Sequence, residues 1–127
     1  MAIELIVQRL FGIVLLVFAL MGTGLVDWQP PAVSARAAPL RDAIFASGYI
    51  IPVVLIVYAA CGLAFVANRF APLAGVVLFP VALNILLFHC VLNPRSIPMA
   101  LTVFAPSVFI LWIHRAAYAP LLVPGPR

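Results

Sequence analysis

Four long apolar stretches, separated by short polar breaks, fix the solvent this chain can fold in. They run from about Leu5 to Val26, Ile44 to Ala67, Ala71 to Leu92 and Ile97 to Ile113. Leu10 to Val26 carries no charged residue at all. A helix rises 1.5 Å per residue, so crossing a ~30 Å hydrocarbon core takes about 20 residues and seldom fewer than ~17. The fourth stretch, the shortest, still reaches that bound. Composition agrees: 67% of the 127 residues are hydrophobic and 8% charged, with a mean hydropathy of +1.28. Soluble domains sit near half apolar and a quarter charged. Four spans leave no room for a soluble catalytic domain, so residues 1–127 are expected to form one transmembrane domain.

The breaks set the topology. "DWQPPAVSARAAPLRD", Asp27 to Asp42, is a long connection with three prolines and four charges, placing an extracytoplasmic loop over 27–43. "NRFAP" and "NPRSIP" are short connections of the kind that join antiparallel neighbours. The expected fold is therefore an all-α, up-down-up-down bundle of four transmembrane helices. Arg9, Arg69, Arg115 and Arg127 fall on one side, and Arg36, Arg41 and Arg95 on the other. That bias puts both termini in the cytoplasm by the positive-inside rule. The first stretch is too long for a signal-peptide core, and the candidate cleavage site "VSA" at 33–35 lies well beyond it. It is read as a span.

Several functions lose their footing here. The basic residues are all arginines scattered singly at segment ends, where they anchor in headgroups and form no stripe for nucleic-acid phosphates. Cys61 and Cys90 make no Cys-x-x-Cys pair, and both sit in apolar segments. Glu4, Asp27 and Asp42 lie at interfaces, so the intramembrane acids typical of proton relays are missing. Ser47, Ser96 and Ser107 lack a nearby base, and there is no glycine-rich phosphate loop.

The polar residues inside spans carry what function there is. "LNILLFHCVLNP" (83–94) places Asn84, His89 and Asn93 in the third span. His89 and Asn93 are four residues apart and share a face, while Asn84 is turned ~140° from His89 and lies deeper. The second histidine, His114, ends the fourth span on the opposite side of the membrane, which excludes an intrachain bis-histidine haem. A metal site is not expected, because no set of His, Cys or carboxylate ligands converges. Two roles stay open. His89 and Asn93 can bond a quinone or lipid headgroup near the outer interface, or Asn84 and His89 can brace the third helix to its neighbours. Interhelical hydrogen bonds worth about 0.6 kcal/mol are common in membrane bundles, and they favour the bracing role. Asn93-Pro94 also ends the helix, since a residue before proline avoids helical geometry. Tyr58, in the middle of the second span, is read as filling volume.

The segments "QRLFGIVLLVFAL" (8–20), "SGYIIPVV" (47–54), "CGLAFVANRFAPLA" (61–74), "FPVALNILLFHCVLNP" (79–94) and "HRAAYAPLL" (114–122) together resemble the DoxX-like family of small bacterial membrane proteins. The resemblance covers residues 8 to 122, and the third-helix motif is its most specific part. It implies a four-helix protein of the bacterial inner membrane, with associations in some relatives to quinone-linked sulfur oxidation or membrane redox assemblies. The departures are informative. Met21 precedes Gly22 where relatives typically carry Asn, Tyr58 stands where they often have Glu, and Ala116 follows Arg115 where an acid is common. Asn84, His89, Asn93, Arg115 and Tyr118 remain.

These features point away from an enzyme. The expected function is a non-catalytic accessory subunit packed against a larger energy-transducing complex, respiratory or photosynthetic. It would have no cofactor of its own, and its partners would be membrane lipids and other integral membrane subunits. Asn84, His89, Arg115 and Tyr118 would serve as structural polar residues. The alternative is a membrane subunit of a quinone-linked oxidoreductase in which His89 and Asn93 bond the quinone.

Overall fold

The computed structural model describes residues 1–125. Arg127, which tips the arginine count above, lies outside the described residues. The chain is all-helical, with no strand among those residues. In order it forms α1 (Ala2–Gly22), α2 (Ala38–Ala46), α3 (Ile50–Ala67), α4 (Ala71–Leu92), α5 (Ile97–Ile113) and α6 (Arg115–Tyr118). One 3-10 turn, Pro94–Ser96, leads into α5, and another, Ala119–Leu122, follows α6. Helices α1, α3, α4 and α5, the last with its leading turn, are long and apolar enough to cross a membrane. The protein is a four-helix, multi-pass membrane bundle.

Three boundaries differ from the sequence expectation, and the simplest is that α1 begins at Ala2, three residues ahead of Leu5. The first span ends at Gly22, four residues early, because Thr23 turns back on its own helix. Its hydroxyl donates to the Leu20 carbonyl at 2.6 Å, and Gly24 follows at φ +77°, a left-handed stop that glycine adopts without strain. The second span begins at Ile50 rather than Ile44. Apolar Ile44 and Phe45 belong to the separate helix α2, which Ser47 and Gly48 end. Ser47 Oγ donates to the Ile44 carbonyl and accepts the Ile50 N–H, and Gly48 sits at φ +74°. The connection expected as a loop over 27–43 thus holds most of a short helix.

Packing is uneven around the bundle. Helix α1 lies mainly on α3 and α5 mainly on α4, with α3 and α4 joining the two pairs, whereas α1 and α5 touch little. Gly12 and Gly62 bring α1 and α3 together: a Cβ on either would stand 2.8 Å from the other's carbonyl oxygen. Small residues are favoured at membrane interfaces for this reason, since lipid supplies no hydrophobic drive and backbones must approach to gain dispersion contact. Around that crossing Phe11 and Phe65 stack with centroids 5.8 Å apart, and Leu15 and Phe65 are fully buried. Gly75 does the same for α4, lying against Ile110 of α5 and the Tyr118 hydroxyl. Pro80 and Pro106 lie inside α4 and α5, and neither helix is interrupted.

Candidate functional site

Polar side chains gather at the two ends of the bundle. At the end carrying both termini, Gln8 of α1 is 1% exposed and joins three helical segments. Its Nε2 donates to the Phe65 carbonyl at 3.1 Å and to Asn68 Oδ1 at 2.9 Å. Its Oε1 lies 2.7 Å from His114 Nε2 at the end of α5. Since an amide oxygen only accepts, the imidazole must carry its proton on Nε2. Burial lowers the His114 pKa, and the charge of Glu4 partly offsets it. Asn68 can reach Gln8 because it takes the left-handed conformation, φ 53°, that ends α3; asparagine tolerates that region better than most residues. Close by, Tyr118 donates to the Pro72 carbonyl at 2.9 Å, tying α6 to α4, and burial raises its pKa. Arg115 stays on its own helix end, donating to the Trp112 carbonyl with its guanidinium 4.7 Å from the Trp112 ring centroid. This end is a clasp.

The opposite end holds the loop and the motif residues. Asn93 is 4% exposed: its Oδ1 accepts the Ser34 N–H at 3.2 Å, and its Nδ2 donates to Ser96 Oγ at 3.0 Å. Ser34 Oγ in turn donates to the Leu92 carbonyl at 2.6 Å. Asn93 therefore pins the loop onto the end of α4. Each end of its carboxamide therefore already carries one bond within the chain. The bracing expected of Asn84 and His89 is not made by hydrogen bonds. Neither side chain makes a hydrogen bond to another helix among the described residues, and Asn84 is exposed.

Both residues face empty space instead. A flank cavity of about 720 Å³ lies between α2, α3 and α4, bordered by Arg41, Asn84 and His89 and otherwise by apolar groups such as Ile44, Val54 and Val81. A central cavity of about 360 Å³ is walled by all four spans: Phe18 and Met21 from α1, Leu55 and Tyr58 from α3, Ile85 and His89 from α4, Thr102 and Val103 from α5. It occupies the stretch where α1 and α5 stand apart. Trp28, Phe45, Ile51, Ile85 and His89 border both spaces.

The His89 ring sets the chemistry. Its Nδ1 is buried without a hydrogen-bond partner, and its neighbour Phe88 meets the ring edge-on at 5.4 Å. A bare lone pair is tolerated in such a place better than an orphaned N–H, which favours the tautomer with its proton on Nε2. His89 thus offers one donor at an apolar cavity wall, which suits a carbonyl acceptor. No group of three or more metal-ligating side chains converges among the described residues, and His114 stands at the other end of the bundle.

Sequence reasoning passed over Gln8, Asn68 and Ser34. Gln8 was legible as a carboxamide inside a helix of high hydropathy, but Arg9 beside it made the pair look like a membrane flank. Asn68 and Ser34 sit in connections, where their partners are set by the folded chain alone. No protein-family model, no curated protein and no solved structure matches the chain.

Proposed function

We propose that this protein is a non-catalytic integral membrane subunit of a larger energy-transducing or redox complex, and that it supplies that complex with a binding site for a quinone-type headgroup at His89. One observation carries the reading: His89 stands on the wall common to two apolar cavities, one of the few polar side chains bordering them. Small-molecule sites are concave, mostly apolar and equipped with a few placed polar groups, and both cavities fit that description. The same proposal assigns the chain to the DoxX-like family and the bacterial inner membrane, on the order of its segments and the third-helix motif, with both termini cytoplasmic.

The test is a mild-detergent purification of the tagged protein from its native membrane, scoring co-purifying proteins and extracted quinone together. Larger membrane subunits in fixed ratio, with quinone that His89→Ala removes, are the expected result. A protein that purifies alone and quinone-free overturns both halves of the proposal. Subunits without specific quinone leave a purely structural accessory role.

A further inference from the structure

The central cavity contains a second unused donor. Tyr58 is 7% exposed, with its ring beside Phe18 at a centroid distance of 6.4 Å. Buried tyrosines ordinarily bring their hydroxyl to a partner, yet this hydroxyl makes no hydrogen bond among the described residues. It is not sealed in, either: among the described residues His89 Nδ1 is the one side-chain polar atom found both enclosed and unpaired. Tyr58 borders the central cavity and not the flank cavity, while Arg41 and Asn84 border only the flank cavity. The central cavity is therefore bordered by neutral donors on Tyr58 and His89, with the indole of Trp28 at its edge, among apolar walls.

Resting on the proposed role of His89, we infer that the central cavity takes the ring of a lipid-soluble dicarbonyl ligand between Tyr58 and His89, and that the ligand's apolar tail leaves through the flank cavity under α2. Tyr58 lies eight residues into α3 and His89 three residues from the end of the antiparallel α4. At 1.5 Å per residue their backbones are staggered by about 7 Å along the membrane normal. A ligand bonded to both needs acceptors at two ends. No cation among the described residues borders the central cavity, so a carboxylate or phosphate there would be buried without a counter-charge, which is costly; uncharged carbonyls carry no such penalty. A cavity of about 360 Å³ is at the low end for small-molecule sites, ~300–1,000 Å³, which suits a ring without its tail. The flank cavity, twice that size and sharing Trp28, Phe45 and Ile85 with it as lining, has the room and apolar walls for the chain.

Trp28 borders both spaces and is a built-in reporter. With Trp112→Phe as background, Trp28 is the sole tryptophan, and its fluorescence in nanodiscs is titrated with a fully ring-substituted decyl benzoquinone. Saturable quenching is expected, weakened about 5- to 10-fold by Tyr58→Phe, the loss of one neutral hydrogen bond, and at least as much by His89→Ala. Thr102→Ile, which narrows the central cavity, is expected to weaken binding too. Tetramethyl benzoquinone, lacking the tail, should bind less tightly, and decylbenzene, lacking the carbonyls, should not compete. If Tyr58→Phe and Thr102→Ile both bind like the parent while His89→Ala does not, the ring does not occupy the central cavity and this inference fails, with the His89 site intact. Absence of saturable quenching in the parent protein overturns this inference and the quinone role alike.

Discussion

Gln8 uses every hydrogen-bonding direction its carboxamide has that matters here: two donations toward the end of α3 and one acceptance from His114. Replacing it by leucine keeps the volume but strips partners from a buried carbonyl, Asn68 and His114. Gln8→Leu should lower stability by about 1–2 kcal/mol, read as a lower unfolding midpoint in detergent. The neighbouring His114 makes stability depend on pH. Burial holds its pKa below the ordinary value of 6.5, so the unfolded chain takes up the proton first. Its contribution is complete above pH 6.5 and is lost as pH falls toward the lower folded-state value. Wild type should therefore lose stability below pH 6.5 relative to His114→Asn, which cannot titrate, and Glu4→Gln should steepen the loss. At this scale the sequence told which residues were polar but not what they touch. His89 was legible as a group of interest because an imidazole among leucines is costly. That Asn93 binds the loop, and that Tyr58 keeps a free hydroxyl, depend on contacts across 59 residues and on a cavity, neither of which local pattern encodes.

Helices α1 and α3 meet at Gly12 and Gly62 with no space for another atom, so Gly62→Ala should force them apart. The expected cost is about 1–3 kcal/mol, the range for overpacking, checked by thermal unfolding beside Gly125→Ala, where nothing lies within 4 Å of the added Cβ. Span existence was easy to read, because an apolar run of that length has few alternatives. The boundaries were harder. Ile44 and Phe45 look like the start of a span by hydropathy, and only the Ser47–Gly48 turn separates them from it. The turn chemistry was in the sequence, but a serine and a glycine also occur inside transmembrane helices. The loop element is secured by Asn93 through Ser34. Asn93→Ala removes both side-chain bonds, and limited proteolysis in detergent should then cut residues 27–37 faster than in the parent.

Across the whole molecule, the even number of spans puts both termini on one side, and the proposed orientation puts Ala35 on the other. In a variant without Cys61 and Cys90, Ala35→Cys should react with a membrane-impermeant maleimide in intact bacterial cells whose outer membrane has been permeabilised. Reaction only after cell lysis would invert the orientation. Bundle topology followed from the four apolar runs and two short connections. The asymmetry between its ends did not, because it arises from which helices touch. That asymmetry has a mechanical side. One leaflet surrounds a bundle stitched by Gln8, His114, Asn68 and Tyr118, and the other surrounds a bundle whose first and last spans are held apart by empty volume. Such a bundle should yield to lateral pressure as a pair of tongs does, closing at the hollow end about the stitched one. Tight acyl packing in the leaflet around the cavities should then narrow them, and loose packing widen them, while the clasp stays put.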